Sequence, residues 1–227
     1  MKVLAVDTSS AVMSISAEND GLFCTLCINA GMRQSEKLVP AIEYVLGEVG
    51  ITPAELELCA VSEGPGSFTG LRLGYSAVKA LSLYSGCPVY AVPTLSAWAY
   101  SYRQWPGAVI PAIDAKKKRF YASVFRQGEA VTDSLDIEPS GLLAYIDIEE
   151  PVLLTGPDAE LLREELLLEE PRLRLSVFEK KQEPVSSYLL EEAKLRFEQR
   201  DRYQPIADYD GPLYIRKSEA EEAVSGK

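Results

Sequence analysis

Residues 62–74, SEGPGSFTGLRLG, set three glycines and a proline in a short polar loop that runs into a helical pattern. Gly64, Pro65, Gly66, Ser67, Phe68, Thr69 and Gly70 could cradle a phosphate, present a nucleophile, or shape a joint between a strand and a helix. A phosphate loop of the Walker type needs a Lys after its last glycine to reach the outer phosphates, and that position is Leu71. A nucleophile elbow needs Gly two residues before its Ser and a base to activate the hydroxyl. Here Pro65 takes the glycine position, and the chain has no histidine. Gly64 and Gly66 permit unusual φ angles, while Ser67 or Thr69 can accept a hydrogen bond from a first-turn N–H of the following helix. A joint is the favoured reading, with ligand contact as the alternative. Arg72 falls near the start of that helix, where the dipole disfavours a cation; this misfit points to an anionic neighbour.

Two carboxylates end apolar runs. Asp7 closes Val3–Asp7 and Asp114 closes Ile110–Asp114, each followed by a polar turn. Carboxylates at strand ends can orient magnesium and phosphates when small residues let backbone N–H groups approach. The turn after Asp7, starting at Thr8, is small enough. The turn after Asp114 carries Lys116, Lys117, Lys118 and Arg119, whose side chains obstruct a close approach. A late glycine, Gly156, is followed by Pro157, which has no N–H to offer. The competing reading is that both Asp residues cap turns. Nucleotide hydrolysis by this chain alone is not expected, and no cofactor or metal site is expected.

The absence of histidine removes Ser-His-Asp chemistry and His-dependent zinc hydrolysis. Cys24 and Cys27 form a CxxC, but in a strand residues three apart face opposite ways. Those two cysteines, with Cys59 and Cys87, read as small buried fillers. The net charge of −11 argues against direct grip on a nucleic-acid backbone. No targeting segment is visible at Met1-Lys2, and no apolar run reaches the length of a membrane span, so a cytoplasmic protein is expected.

These residues must be positioned by a regular series of elements. Strand patterns at Lys2–Asp7, Ala11–Glu18 and Leu22–Ile28 precede a helix at Gln34–Val49, a strand at Leu58–Val61, a helix at Gly70–Tyr84, a strand at Pro88–Val92 and a helix at Leu95–Tyr102. Asn19-Asp20-Gly21 is a hairpin signal. Placing Asp7 on Asp114 also places Gly21 on Gly128; a single strand over Arg119–Phe125, a turn at Gln127-Gly128 and further strands and helices then follow in a similar order, ending in a helix at Ser186–Gln199. Two βββαβα units describe an α/β fold of the actin-like (ASKHA, sugar-kinase and HSP70-like) architecture. The lobes are expected at 1–104 and 105–227, with a tail that packs back on the first lobe and about ten frayed terminal residues. Helix 70–84 is apolar nearly all round and helix 34–49 carries a broad stripe, so their spare sides are expected to meet another chain. Thick packing within the monomer is the alternative.

The strings VLAVDTSSAVMSISAENDG, QSEKLVPAIEYVL, EGPGSFTGLRLGYSAVKALS, PVYAVPTLSA, AIDAKKKRFYASVF and PLYIRK resemble, in order, the TsaB (YeaZ) family. The resemblance covers the first 125 residues well and the remainder through spacing and the tail. It implies a non-catalytic, actin-like scaffold and activator in bacterial synthesis of tRNA N6-threonylcarbamoyladenosine. Its partners would be a TsaD-like catalytic paralogue and a TsaE-like ATPase, with homodimers formed through the same helical face and tRNA met only through the complex. Many members have His where this chain has Gln34, and Gly where it has Lys118; both departures favour a scaffold. The resemblance implies an interface on the two helices, through Leu38, Ile42, Val45, Arg72, Leu73, Ala77, Val78 and Leu81. Asp7, Thr8, Asp114 and Gly156 would then be remnants of a nucleotide cleft. Two contrasting readings are an actin-like small-molecule kinase or ATPase using Asp7 and Asp114, and a peptidase acting through Ser67.

Overall fold

The structure, a computed structural model, describes residues 1–178 and 184–215. The expected fraying of the last ten residues lies outside the described residues. The first elements are β1 (Lys2–Asp7), β2 (Val12–Asn19), β3 (Leu22–Asn29), α1 (Gln34–Glu48), β4 (Leu58–Gly64), α2 (Phe68–Ser85), β5 (Val89–Pro93) and α3 (Thr94–Tyr100). There follow β6 (Ala108–Asp114), β7 (Phe120–Ala122), β8 (Phe125–Arg126), β9 (Glu129–Ala130), β10 (Leu135–Ile137), α4 (Pro139–Leu142), β11 (Pro151–Thr155), α5 (Ala159–Glu169), β12 (Arg174–Val177) and α6 (Val185–Glu198). The described residues pack as two units: 1–94 with 184–213, and 95–178 with 214–215.

The sheet of the first unit runs β3-β2-β1-β4-β5, with β1, β4 and β5 parallel and β1–β2–β3 an antiparallel meander. The second unit repeats that plan along β10-β7-β6-β11-β12, with β6, β11 and β12 parallel. The duplicated α/β fold expected from the sequence is therefore present. Its hairpin turns correspond too: Asp20 and Gly21 have φ of 46° and 92°, Gln127 and Gly128 of 53° and 83°. Two successive positive φ angles match the twist of a tight hairpin, which explains the Gly in each pair.

The run VLAV is continuously apolar because β1 is covered on both faces. Alternate side chains point oppositely: Leu4 and Val6 join a core with Met13, Ile15, Leu38, Ile42, Val45 and Val78. On the other face α6 packs against β1, β2, β4 and β5. Small β2 residues admit it closely: the Ser186 hydroxyl lies 2.7 Å from that of Ser16, and the Ser186 N–H donates to Ser14 Oγ at 2.9 Å. Chain order placed helix 186–199 in the second repeat, yet it completes the first unit. Periodicity gives a helix its apolar side but not the sheet that receives it.

The second unit's core joins Ile110, Phe120, Leu142, Leu154, Leu162 and Leu166. The single strand expected over Arg119–Phe125 is split into β7 and β8. Between them the Val124 N–H bonds Thr132 Oγ1 and the Val124 carbonyl accepts from Val131 N–H, so this residue turns away from the β6 ladder.

Candidate functional site

In the first unit the glycine loop is pressed against the turn after Asp7. Gly66, Gly70 and Gly74 recur every four residues, and each faces Thr8 or Ser9. A methyl group at Gly66 would lie 2.6 Å from the Ser9 carbonyl oxygen and one at Gly74 2.5 Å from Thr8 Oγ1, while one at Gly70 would overlap the Thr8 carbonyl. The contact is also hydrogen-bonded. Ser67 N–H donates to the Ser9 carbonyl at 2.7 Å, and Thr8 Oγ1 donates to the Gly70 carbonyl at 2.7 Å. Ser67 caps α2 by accepting from Gly70 N–H at 3.2 Å. On the loop's other side, a methyl at Gly64 (φ 122°) would lie 2.5 Å from the Leu213 carbonyl oxygen, and Leu213 N–H donates to the Glu63 carbonyl. The glycines thus serve close approach of protein backbone.

Asp7 is 1% exposed. Its Oδ1 accepts from Ser62 Oγ at 2.5 Å and from the Ser9 N–H at 3.0 Å, the short-range bond of a capped turn. Its Oδ2 is buried without a hydrogen-bond partner among the described residues. Burial pushes the Asp7 carboxyl above its ordinary value, against the bonds from Ser62 and Ser9. Gln34, the buried first residue of α1, donates to the Ser10 carbonyl at 2.5 Å and so ties that helix to the same turn. Its role was missed from sequence, although its position one turn before Leu38 on the buried stripe was a usable signal.

The eight residues assigned to a partner interface separate by burial. Leu38, Ile42, Val45 and Val78 lie in the core of the first unit. Leu73, Ala77 and Leu81 are half-buried against that core, and Arg72 is exposed. The outward stripe of α2 runs through Thr69, Arg72, Ser76, Ala80, Leu83 and Tyr84. The last two are 80% and 71% exposed, and on α1 Val39 and Tyr44 are 57% and 54% exposed. The Arg72 guanidinium lies 3.9 Å from the Phe68 ring centroid, a cation–π contact that offsets its place near a helix N-terminus.

In the second unit Asp114 makes the same short-range cap: Lys116 N–H donates to its Oδ1 at 2.7 Å. Lys116 Nζ reaches Oδ2 at 2.6 Å, and the Asp114 N–H donates to Asp158 Oδ2 at 2.8 Å. Burial raises the Asp114 pKa, but the Lys116 bonds outweigh it and leave the carboxyl below its ordinary value. Burial holds Asp158 above its own. Lys116, Lys117 and Lys118 all take positive φ, at 64°, 57° and 59°. Gly156 (φ 96°) packs on the β6 backbone, where a methyl would lie 2.5 Å from the Ala112 carbonyl oxygen. Both Asp residues therefore cap turns. Among the described residues no group of three or more Cys, Asp or Glu side chains is placed to hold a metal ion, and no helix is long and apolar enough to cross a membrane.

The family model for TsaD, tRNA N6-adenosine threonylcarbamoyltransferase, matches residues 29–140. The tRNA threonylcarbamoyladenosine biosynthesis protein TsaB of Bacillus subtilis is 26% identical over 167 residues, 71% of this chain and 73% of that protein. The Escherichia coli protein of the same name is 29% identical over 131 residues, 57% of each chain, so this chain spans little more than half its length. A Pseudomonas aeruginosa structure described as similar to peptidase YeaZ superposes with a TM-score of 0.78 at 24% identity, over 95% of this chain and 99% of that one, which shows the shared fold. With the motif order of the first 125 residues, these matches make the chain similar to the TsaB (YeaZ) proteins of tRNA threonylcarbamoyladenosine biosynthesis.

Proposed function

We propose that this chain is a non-catalytic scaffold and activator in tRNA N6-threonylcarbamoyladenosine biosynthesis. In this reading it pairs with a TsaD-like catalytic paralogue, works beside a TsaE-like ATPase, and meets tRNA only through that complex. The observation that carries the reading is the closed joint. The loop with most promise for chemistry is filled by the Thr8–Ser9 backbone, and its glycines launch α2 with an outward face of small and apolar residues. Small residues let a second helix approach closely, while Leu83, Tyr84, Val39 and Tyr44 supply apolar area that water would otherwise cover. The same face serves a homodimer when the paralogue is absent. Leu73, Ala77, Leu81 and Arg72 remain in the proposed interface, joined by Ser76 and Ala80. Leu38, Ile42, Val45 and Val78 act beneath it as the packing that holds the two helices in place.

Co-expression with the organism's TsaD-like paralogue, followed by co-purification and an assay of tRNA modification, tests this directly. Ala80→Trp adds bulk to the exposed stripe without touching the core. It should abolish co-purification and modification while the isolated chain melts normally. An unaltered complex would refute the interface. ATP turnover by the isolated chain that is lost in Asp7→Asn would replace the scaffold reading with that of an actin-like kinase or ATPase.

A further inference from the structure

Cys59 and Cys87, which the scaffold reading does not use, lie in contact. Their sulfurs are 3.5 Å apart, Cys59 fully buried on β4 and Cys87 4% exposed just before β5. All four cysteines are thiols. The backbone on both sides of the pair is pinned. Cys59 N–H donates to the Pro88 carbonyl at 2.9 Å, Ser82 Oγ donates to the Cys87 carbonyl at 2.6 Å, and Cys87 N–H donates to Ser85 Oγ at 3.3 Å. A disulfide needs the sulfurs at about 2.05 Å, so closure draws them together by roughly 1.5 Å. We infer that Cys59 and Cys87 are an oxidisable dithiol that hydrogen peroxide converts to an intrachain disulfide.

The two sulfurs are not equivalent. Cys87 follows Gly86, the exposed left-handed residue that ends α2, and is the nearer to solvent. The Cys59 S–H, followed by Ser85, stabilises the Cys87 thiolate and holds its pKa below the ordinary thiol value, although burial opposes this. The Cys59 thiol is held above its own, first by its bond to Cys87 and then by burial. Cys87 is thus the attacking sulfur. Its thiolate attacks one peroxide oxygen and the O–O bond breaks. The products are the Cys87 sulfenic acid and hydroxide, which is protonated to water. The Cys59 sulfur then attacks the Cys87 sulfur, the S–O bond breaks, and the hydroxyl leaves with the Cys59 proton as a second water. Two thiols lose two electrons to one peroxide. The new bond links positions 28 apart in sequence, enclosing the glycine loop and all of α2.

The test uses the full chain with Cys24→Ser and Cys27→Ser, removing the half-buried thiols of β3. Graded hydrogen peroxide, alkylation of the remaining thiols and peptide mass mapping should show both thiols disappearing together at a rate independent of protein concentration. A linked Cys59–Cys87 peptide should appear and be lost on reduction, and the melting temperature should rise by roughly 5 °C or more. Adding Cys59→Ser should leave a sulfenic acid on Cys87 that a dimedone-type probe labels. Continued alkylation of both thiols, chain-to-chain crosslinks, or a linked peptide seen only after denaturation would overturn the inference. Wild-type chain treated in parallel requires no substitution: its first disulfide should be Cys59–Cys87, and a first disulfide at Cys24–Cys27 would equally overturn it.

Discussion

The two Asp-ended turns begin from one plan and reach opposite electrostatic states. Asp7 and Asp114 close equivalent strands, and each accepts the backbone N–H of the residue two positions on. Around Asp7 the glycine loop, Ser62 and β2 remove water, and the carboxyl is pushed up. Around Asp114 no glycine loop among the described residues closes the turn; the Lys116 ammonium pairs with the carboxylate instead, and the carboxyl is held down. The same local cap therefore says little about charge, because a pKa follows from what packs over the group. The backbones differ in the same way. The first turn is satisfied by contacts from β4 and α2, whereas the second holds three consecutive lysines in the left-handed region.

The largest test of this contrast is Gly70→Ala, whose methyl would overlap the Thr8 carbonyl. Overpacking at a rigid backbone should cost about 3 kcal/mol in urea unfolding, while Lys117→Ala in the open turn should cost under about 0.5 kcal/mol. Equal effects would mean that the first turn is not closed. Next in size, Asp7→Asn should stabilise the protein by on the order of 1–2 kcal/mol at pH 7, because it removes a buried charge with an unpartnered oxygen. The sign follows from the raised folded pKa: the penalty is complete above that value and absent below the unfolded value of about 3.9. The gain should therefore fade as the solution is acidified; a gain that grows in acid would contradict the assignment.

Lys118→Gly should add about 1 kcal/mol by removing a side chain from a left-handed position. A loss in thermal stability there would point to a role for the Lys118 side chain. The smallest effect belongs to Asp114→Asn, a loss below about 1 kcal/mol, since the Lys116 partner is largely exposed. Because the folded Asp114 pKa is depressed, that loss should be full at neutral pH and vanish as pH falls below the folded pKa. Opposite pH trends in the two Asn variants, measured by denaturation between pH 3 and 7, would set the contrast on a single axis.

Much of the fold was legible because its signals are local. Asn19-Asp20-Gly21 and Gln127-Gly128 announce hairpins through residues that tolerate positive φ, and strand ends at Asp7 and Asp114 reveal the duplication. Ser67 announces a helix cap. The split of the strand expected over Arg119–Phe125 was not legible, since it depends on Thr132, a residue outside the strand. At the helical face the pattern identified the two helices but not their outward sides. α2 is apolar almost all round, so Val78 and Leu81 look alike in sequence although only Val78 is fully enclosed.

The sequence by itself determined the element order of the first hundred residues, the repeated plan, turn caps as one of the two readings of Asp7 and Asp114, and the absence of a Lys or His that would give the glycine loop chemistry of its own. Each depends on residue type, period or spacing over a few positions. Tertiary structure alone decided that Gly66, Gly70 and Gly74 face Thr8 and Ser9, that α6 completes the first sheet, which half of the α2 surface stays open, and that Cys59 meets Cys87. Those outcomes are contacts between distant segments, and burial, charge state and sulfur proximity exist only once the chain has brought them together.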